Sequence, residues 1–321
     1  MISRRLLRIK ALLILYAFNR REEEDLIRAE KELRFSISKT YELYHYLLLL
    51  IIEIADLASE KIDMALHKRV PTDEDLNPKR KFVDNQVVRQ LKNCRDLSRY
   101  VDANKISWVH HRHIPRILYN KMTGWVVYNE YINSDETSYQ SDKKFIIRLI
   151  TDLFAGSEDL QADIEEQSIY WNDDMEYVAS MLEKTFRKFK AQQGPEAKLL
   201  PMFKNDEDEE FVMLLFRNAV INAGKYSGLI ESNTTNWELE RIALMDILVM
   251  QLAITEILEF PEIPVKVTLN EYIEIAKYYC TSKSSTFVNG ILDKIVRELR
   301  DQGLFNKYGR GLVGETVKND L

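Results

Sequence analysis

The chain has 321 residues, a formal net charge of −6 and 45% hydrophobic residues, which is enough for one large domain or two ordinary ones. With only 10 Gly and 7 Pro, the composition favours long helices and argues against glycine-rich nucleotide loops. Because the net charge is negative, any contact with nucleic acid has to come from a local basic patch. Cys94 and Cys280 match no metal or redox spacing and are expected to be reduced thiols.

The first predicted helix covers residues 3–18, with Ser3 at its N-cap. At 100° per residue, Arg4, Arg5 and Arg8 fall within one arc of about 100°. Three guanidinium groups at a helix N-terminus oppose the helix dipole, at a cost of about 0.3–1 kcal/mol each, unless an anion is present. The ordinary interpretation is a charged face in water, and the alternative is a face that binds an anion.

Residues 22–66 are predicted to form one or two long helices that contain the apolar segment Tyr41–Leu57. Its tyrosines could stack on bases, but aromatic residues within such an apolar run favour a place in the core. The longest apolar run, residues 46–52, is far shorter than the roughly 20 residues of a membrane span. The chain is therefore expected to be cytoplasmic.

Two segments of the sequence repeat at a spacing of 66 residues. Phe145 and Trp171 are 26 residues apart, as are Phe211 and Trp237, and an Ile-Glu pair stands at the same offset in both copies. The pattern predicts a duplicated helix–turn–helix unit with both tryptophans buried at the start of a second helix. The alternative is a coincidence between two amphipathic helices. The first copy ends in the basic run Lys184–Lys190.

Further helical patterns follow towards the C-terminus and are expected to share one core. The pair Thr268 and Glu271 is interpreted as a capping box that opens a helix at Asn270. Ser284 or Ser285 is expected to cap the last helix. The apolar stripe of that last helix consists of Phe287, Val288, Ile291, Leu292, Ile295, Val296 and Leu299.

Five short motifs in this part of the chain resemble, in the same order, the NusB family of transcription antitermination factors. The motifs are Trp237–Arg241, Leu252–Glu256, Ile263–Glu271, Ala276–Lys277 and Ser285–Lys294. The arginine-rich stretch from Arg4 to Tyr16 also resembles the first helix of that family. Leu6 stands where many members of the family carry another basic residue.

The resemblance implies an all-α protein made of NusB-like helical bundles with a large helical insertion after the first helix. The expected domains are an N-terminal helical region over residues 1–206, which holds the first helix and the insertion, and an RNA-binding domain over residues 207–304. A flexible tail is expected over residues 305–321.

The same resemblance implies an antitermination factor that binds boxA-type ribosomal RNA leader together with the ribosomal protein NusE, within the transcription elongation complex. It implies partner contacts at Tyr16 and Asp246, for which a buried tyrosine and a solvated aspartate are the ordinary alternatives. The residues implied to contact RNA are Arg4, Arg5, Arg8, Lys283, Thr286 and Phe287. Of these, Phe287 also lies on the apolar stripe, which favours the core.

The sequence carries none of the glycine-rich phosphate loops, nucleophile elbows or zinc-protease motifs that mark common enzyme classes. The chain is therefore expected to be non-catalytic, with no cofactor, no metal and no small-molecule substrate. The alternative function is a helical scaffold that binds other proteins in ribosomal RNA synthesis or ribosome assembly. The acidic net charge, Leu6 and the long insertion favour this alternative, and salt-dependent RNA affinity would distinguish the two.

Overall fold

The computed structural model describes residues 1–22, 25–234 and 242–308. All regular elements in these ranges are helical, as the sequence predicts. No helix among them is both long enough and apolar enough to cross a membrane. Trp237 and the motif that contains it, residues 237–241, lie outside the described ranges.

The chain folds into two compact units, which share one long helix. The first unit consists of Met1–Ile2 and Ser38–Met202, and the second consists of Ser3–Ile37 with the described residues from Phe203 onward. The helix α1 (Arg4–Asn19) belongs to the second unit. The long helix α2 (Leu26–Leu66) gives its residues up to Ile37 to the second unit and the remainder to the first.

The first unit is built from the later part of α2 and a series of shorter helices. These are α3 (Asp73–Leu76), α4 (Gln86–Lys92), α5 (Arg95–Asn104), α6 (His113–Thr123), α7 (Val126–Asn133), α8 (Tyr139–Arg148), α9 (Glu158–Gln167) and α10 (Met175–Lys188). A π-helical turn, Leu149–Phe154, continues α8. Tyr44 and Tyr46 are buried, as expected, whereas Tyr41 is half-buried. Tyr46 stacks on Trp108 with 3.8 Å between ring centroids.

The second unit surrounds α13 with the other helices of that unit. Its elements after α2 are α11 (Asp206–Ile221), α12 (Ala223–Asn233), α13 (Leu244–Glu259), α14 (Val265–Tyr279) and α15 (Ser284–Asp301). Helix α1 packs against α11 and α13, and α13 also packs against α14 and α15. The predicted apolar stripe of α15 is buried from Val288 to Leu299, whereas Phe287 is half-buried. Beyond α15, Phe305 packs on a cluster that includes Val265 and Val296.

The predicted start of α14 is wrong. The helix begins at Val265, directly after Pro264 in the N-cap position, and not five residues later. Thr268 therefore lies inside the helix, where its hydroxyl donates to the buried carboxylate of Glu256 at 2.8 Å. Glu271 accepts hydrogen bonds from an arginine of α1 and does not cap. Both residues of the predicted cap are thus bonded to charged side chains of other helices. Such hydrogen bonds are stronger than the neutral bonds that a local cap would make.

The 66-residue repeat coincides with two matching series of helices. The combined segment 139–154 of the first copy, shifted by 66 residues, becomes 205–220, beside the observed α11 at 206–221. Shifted in the same way, α9 becomes 224–233, beside the observed α12 at 223–233. Trp171 is buried, as predicted, but it ends a short 3-10 turn, Ile169–Trp171, four residues before α10 begins, and not at the start of the helix. Its indole N–H donates to the Lys39 carbonyl at 2.6 Å. The burial predicted for Trp237 falls outside the described residues.

Candidate nucleic-acid interface

Arg4 and Arg5 lie in the first turn of α1, where Ser3 caps the helix as predicted by accepting from the Leu6 N–H at 3.3 Å. Arg4 donates from Nε to Asp208 at 2.8 Å, and Arg5 donates from Nε and Nη2 to the two oxygens of Glu271 at 2.9 and 2.8 Å. The Arg4 side chain keeps 34% of its surface exposed and the Arg5 side chain 42%. Both guanidinium groups are therefore oriented by carboxylates while remaining accessible from solvent.

Arg8 has a different environment, since only 4% of its side chain is exposed. Its Nε and Nη2 donate to Glu256 at 2.6 and 2.8 Å. The carboxylate of Glu256, which is fully buried, accepts further hydrogen bonds from Thr268 at 2.8 Å and Tyr272 at 3.3 Å. The arc of three arginines expected on one surface is thus divided, with two at the surface and Arg8 in the core.

The charges around Arg8 determine how its neighbours titrate. Burial would lower the pKa of Arg8, but the hydrogen bond and charge of Glu256 outweigh burial, so the pKa is raised. Burial would likewise raise the pKa of Glu271, but the hydrogen bond from Arg5 and the charge of Arg8 hold it below its usual value. Burial, and after it the charge of Glu256, raise the pKa of Tyr272 well above its usual value. The geometry therefore favours a charged Arg8, a charged Glu271 and a neutral Tyr272 at neutral pH.

The carboxylates explain how three arginines can lie at the N-terminus of α1. Each arginine is paired with an acid from a different helix: Asp208 on α11, Glu256 on α13 and Glu271 on α14. The protein itself thus supplies the anions that the helix dipole requires. An external anion is not needed to hold three arginines at this helix end.

The start of α15 carries the other residues expected to contact RNA. Lys283, in the N-cap position, and Thr286 are exposed, while Phe287 is half-buried. Ser284 does not cap its own helix. Its hydroxyl donates to the Asp246 carboxylate at 2.9 Å and accepts from the Thr281 N–H at 3.1 Å.

Asp246 is only 7% exposed. The sequence suggests either a contact with a protein partner or an aspartate in solvent at this position. The bond of Asp246 to Ser284 makes it a support for the turn that precedes α15. Burial, and after it a hydrogen bond to Asp246, raise the pKa of the nearby Cys280 thiol. Tyr16, the other residue expected to meet a partner, is half-buried, with the Arg20 guanidinium 5.4 Å from its ring centroid.

The surface residues form two groups rather than one cluster. Glu271, which holds Arg5, lies eight residues before Tyr279, the last residue of α14. At 1.5 Å per residue this is about 12 Å along the helix axis. Lys283 and Thr286 follow four and seven residues after that helix end. About two turns of α14 therefore lie between the residue that holds Arg5 and the turn that leads to Lys283.

Glu256 and Asp208, the acids that orient α1, were missed by sequence reasoning. The sequence holds a signal for Glu256, because it is the only charged residue in the run Leu252–Leu258. Arg8 likewise stands between Leu7 and Ile9. A single charge inside an apolar helical run predicts a buried ion pair, since burying an unpaired charge is too costly.

The model of the NusB family matches residues 176–297, from α10 into α15. The transcription antitermination protein NusB of Salinibacter ruber is 44% identical over 115 residues, which are 36% of this chain and 72% of that protein. The chain belongs to the NusB family. Within the second unit, α1 lies outside the matched residues but packs against α11 and α13, which are inside them.

Two further NusB relatives match shorter shares of their own length. The protein of Chloroherpeton thalassium is 41% identical over 112 residues, which are 35% of this chain and 53% of that protein. The protein of Syntrophotalea carbinolica is 44% identical over 91 residues, which are 28% of this chain and 58% of that protein. The chain thus spans little more than half the length of these two relatives. No solved structure matches the chain significantly.

Proposed function

We propose that this NusB-family chain is an RNA-binding transcription antitermination factor. Its RNA would be a boxA-type ribosomal leader, bound together with the ribosomal protein NusE. The observation that carries the proposal is the pair Arg4 and Arg5, held in fixed orientation at the surface of the second unit. Family membership supports the class of function, because the matched relatives are named transcription antitermination proteins.

The proposed RNA strip begins at Arg4 and Arg5 and ends at Lys283 and Thr286. Within the described residues Arg4 uses only Nε for its ion pair, which leaves its terminal amino groups for a phosphate. An oriented guanidinium binds phosphate or stacks on an unpaired base with little loss of side-chain entropy. Phe287, which is half-buried beside Thr286, adds an aromatic side chain at the α15 end of the strip. We assign Arg8 to the support of α1 and not to RNA contact.

The proposed contact with NusE rests on Tyr16, which is half-buried on α1 with a cation beside its ring. A partly exposed aromatic side chain is the residue type that anchors protein interfaces. Asp246 contributes to this proposal only through the turn that it supports. The buried carboxylate belongs to the stability of the α15 start.

The test is RNA titration of the double variant Arg4→Ala/Arg5→Ala. We expect the affinity for a boxA-type oligonucleotide to fall severalfold or more. The slope of log affinity against log salt should fall by about 1.4, because each neutralised phosphate of a single strand adds roughly 0.7 to it. The matched control is Arg21→Ala/Arg217→Ala, because these arginines also form ion pairs on the second unit and have side chains 34% and 48% exposed.

The control should bind RNA like the wild type, and circular dichroism should show both variants folded. An unchanged affinity and slope in Arg4→Ala/Arg5→Ala would remove the arginines from the interface. A parallel titration with NusE addresses the alternative function. Wild-type protein that binds NusE but no RNA would be a helical scaffold and not an RNA-binding factor.

A further inference from the structure

The basic run at the end of α10 is not used by the proposed function. It lies in the first unit, where Lys184, Arg187, Lys188 and Lys190 are all exposed. Lys143 of α8 joins them, because its Nζ donates to the carbonyls of Arg187 and Phe189 at 3.3 and 3.1 Å. We call the surface of Lys143, Lys184, Arg187, Lys188 and Lys190 the lysine patch.

The lysine patch is poorly neutralised within the described chain. Arg187 pairs with Glu183 at 2.5 Å, but no ion pair joins Lys184, Lys188 or Lys190 to a carboxylate there. Five cations and one carboxylate leave a net charge of +4. The Met1 amine shows the effect: burial, and after it the charges of Lys184 and Lys188, lower the pKa of this amine to about 5.

The helix dipole accounts for only part of this charge. Cations near a helix C-terminus are favourable within the last turn, and Lys143, Arg187 and Lys188 fill that role at α10, whereas Lys184 does not. Lys184 lies one turn before Lys188 on the same exposed face. Placing two cations side by side without an acid is unfavourable for an isolated helix, so the arrangement favours a ligand with spaced negative charges.

The surroundings of the patch favour nucleic acid over an acidic protein. Among the described residues, none in α8 or α10 is a large exposed hydrophobic side chain. A stable protein interface needs an apolar, desolvated centre, whereas binding of a phosphate backbone is electrostatic and needs none. Arg4 and Arg5 of the second unit are paired with acids, whereas the lysines of the patch offer the backbone a positive charge that no ion pair in the described chain offsets.

We propose that the lysine patch is a second RNA-contacting surface, which binds the phosphate backbone of RNA outside the boxA-type segment. The proposal rests on the proposed function, since it takes RNA as the ligand. In this role the first unit would raise the affinity of the protein for longer RNAs without recognising their bases. Backbone contacts of this kind are strongly dependent on salt.

The test compares two RNAs on the full chain: a short boxA-type oligonucleotide, and the same segment with unrelated flanks on both sides. For Lys184→Glu/Lys188→Glu we expect roughly tenfold weaker binding of the flanked RNA and a salt slope lower by about 1.4, for two phosphates. Binding of the short RNA should be unchanged. Arg4→Ala/Arg5→Ala should instead weaken binding of both RNAs.

The matched control is Arg69→Glu/Arg116→Glu, which makes the same change in net charge at two exposed cations of the first unit that have no ion pair in the described chain. An equal drop in affinity for this control, or an unchanged affinity in Lys184→Glu/Lys188→Glu, would overturn the lysine patch. Loss of NusE binding with RNA binding intact would overturn it in favour of a protein contact. Failure of the wild type to bind the short RNA would overturn the proposed function. The lysine patch would still be tested by comparing the affinities of the two charge-reversal variants for the flanked RNA.

Discussion

Arg4 and Arg8 are the same residue type in the same helix, one turn apart, and yet they have opposite environments. The helical arc predicted from sequence grouped them correctly by angle. It could not show that α13 and α14 cover one edge of that arc, because the covering residues lie about 250 positions away. Asp246 illustrates the same limit, since a carboxylate in the first turn of a helix gives no local sign of burial.

The two arginines should therefore differ in their contribution to stability. Arg8→Ala should lower the free energy of unfolding by about 3–5 kcal/mol, because it leaves the carboxylate of Glu256 buried and unpaired. Arg4→Ala should cost less than about 1 kcal/mol, since its ion pair is partly exposed and solvent-screened. Urea denaturation followed by circular dichroism measures both.

The double variant Arg8→Met/Glu256→Leu serves as the control for Arg8→Ala. Replacing both charges by apolar side chains removes the unpaired carboxylate, so much of the stability should return. Equal costs for Arg8→Ala and Arg4→Ala would mean that the buried ion pair does not hold α1 in the second unit.

At the level of helices, periodicity predicted the first helix, the long helical segment after it and the residues of α15 that are buried, apart from Phe287, but it did not predict α4–α7. Helix starts were less predictable, because the best partner of a capping side chain can come from another helix. Thr268 and Ser284 both bond to acids of α13. Gly290 is a further case: a glycine inside a helix suggests close packing, yet a Cβ there would meet no atom within 4 Å.

Gly290→Ala should therefore stabilise α15. The position is helical and exposed, so alanine should raise the free energy of unfolding by about 1 kcal/mol. Gly303→Ala is the opposite control at the end of the same helix. Gly303 has φ +66°, and the N–H groups of Gly303 and Leu304 donate to the carbonyls of Arg300 and Leu299. This is a C-terminal motif that favours glycine, so alanine should destabilise.

Thermal unfolding of the two glycine variants gives the signs directly. Opposite shifts of the midpoint are expected, with RNA affinity unchanged for Gly290→Ala. A fall in stability for Gly290→Ala would mean that another surface closes over this position.

At the scale of the whole molecule, the resemblance to NusB predicted the all-α fold and the association of the first helix with residues near the C-terminus. It could not predict that α2 contributes residues to both units, since hydrophobic periodicity continues through the whole helix. The family match begins at residue 176, so most of the first unit lies outside it. The arrangement of those helices had to come from the structure.

Acid should destabilise the protein through His45 of the first unit. The ring is buried, its Nδ1 lies 2.8 Å from the Tyr41 carbonyl, and it stacks on Tyr100 with 3.6 Å between ring centroids. Burial lowers the pKa of His45 to about 4, from an ordinary value of 6.5. The unfolded chain binds the proton first, so stability should fall by up to about 3 kcal/mol as the pH drops through this range.

The check is urea denaturation of the wild type and His45→Phe at several pH values between 7 and 4. Phenylalanine keeps the stacking but cannot titrate, so the stability of the variant should fall by about 3 kcal/mol less than that of the wild type over this range. Parallel curves for the two proteins would show that other groups cause the acid sensitivity.

The second unit is built from two distant stretches of the chain, and this determines when it can be completed during synthesis. Helix α1 leaves the ribosome before α11 and α13, against which it packs, because these helices are encoded more than 180 residues later. At 5–20 residues per second, that interval is about 10–40 s. Throughout it, Arg8 has no Glu256 to pair with, and the apolar side of α1 has no permanent cover. The residues of the first unit are translated in between, so its synthesis is complete before the second unit can close.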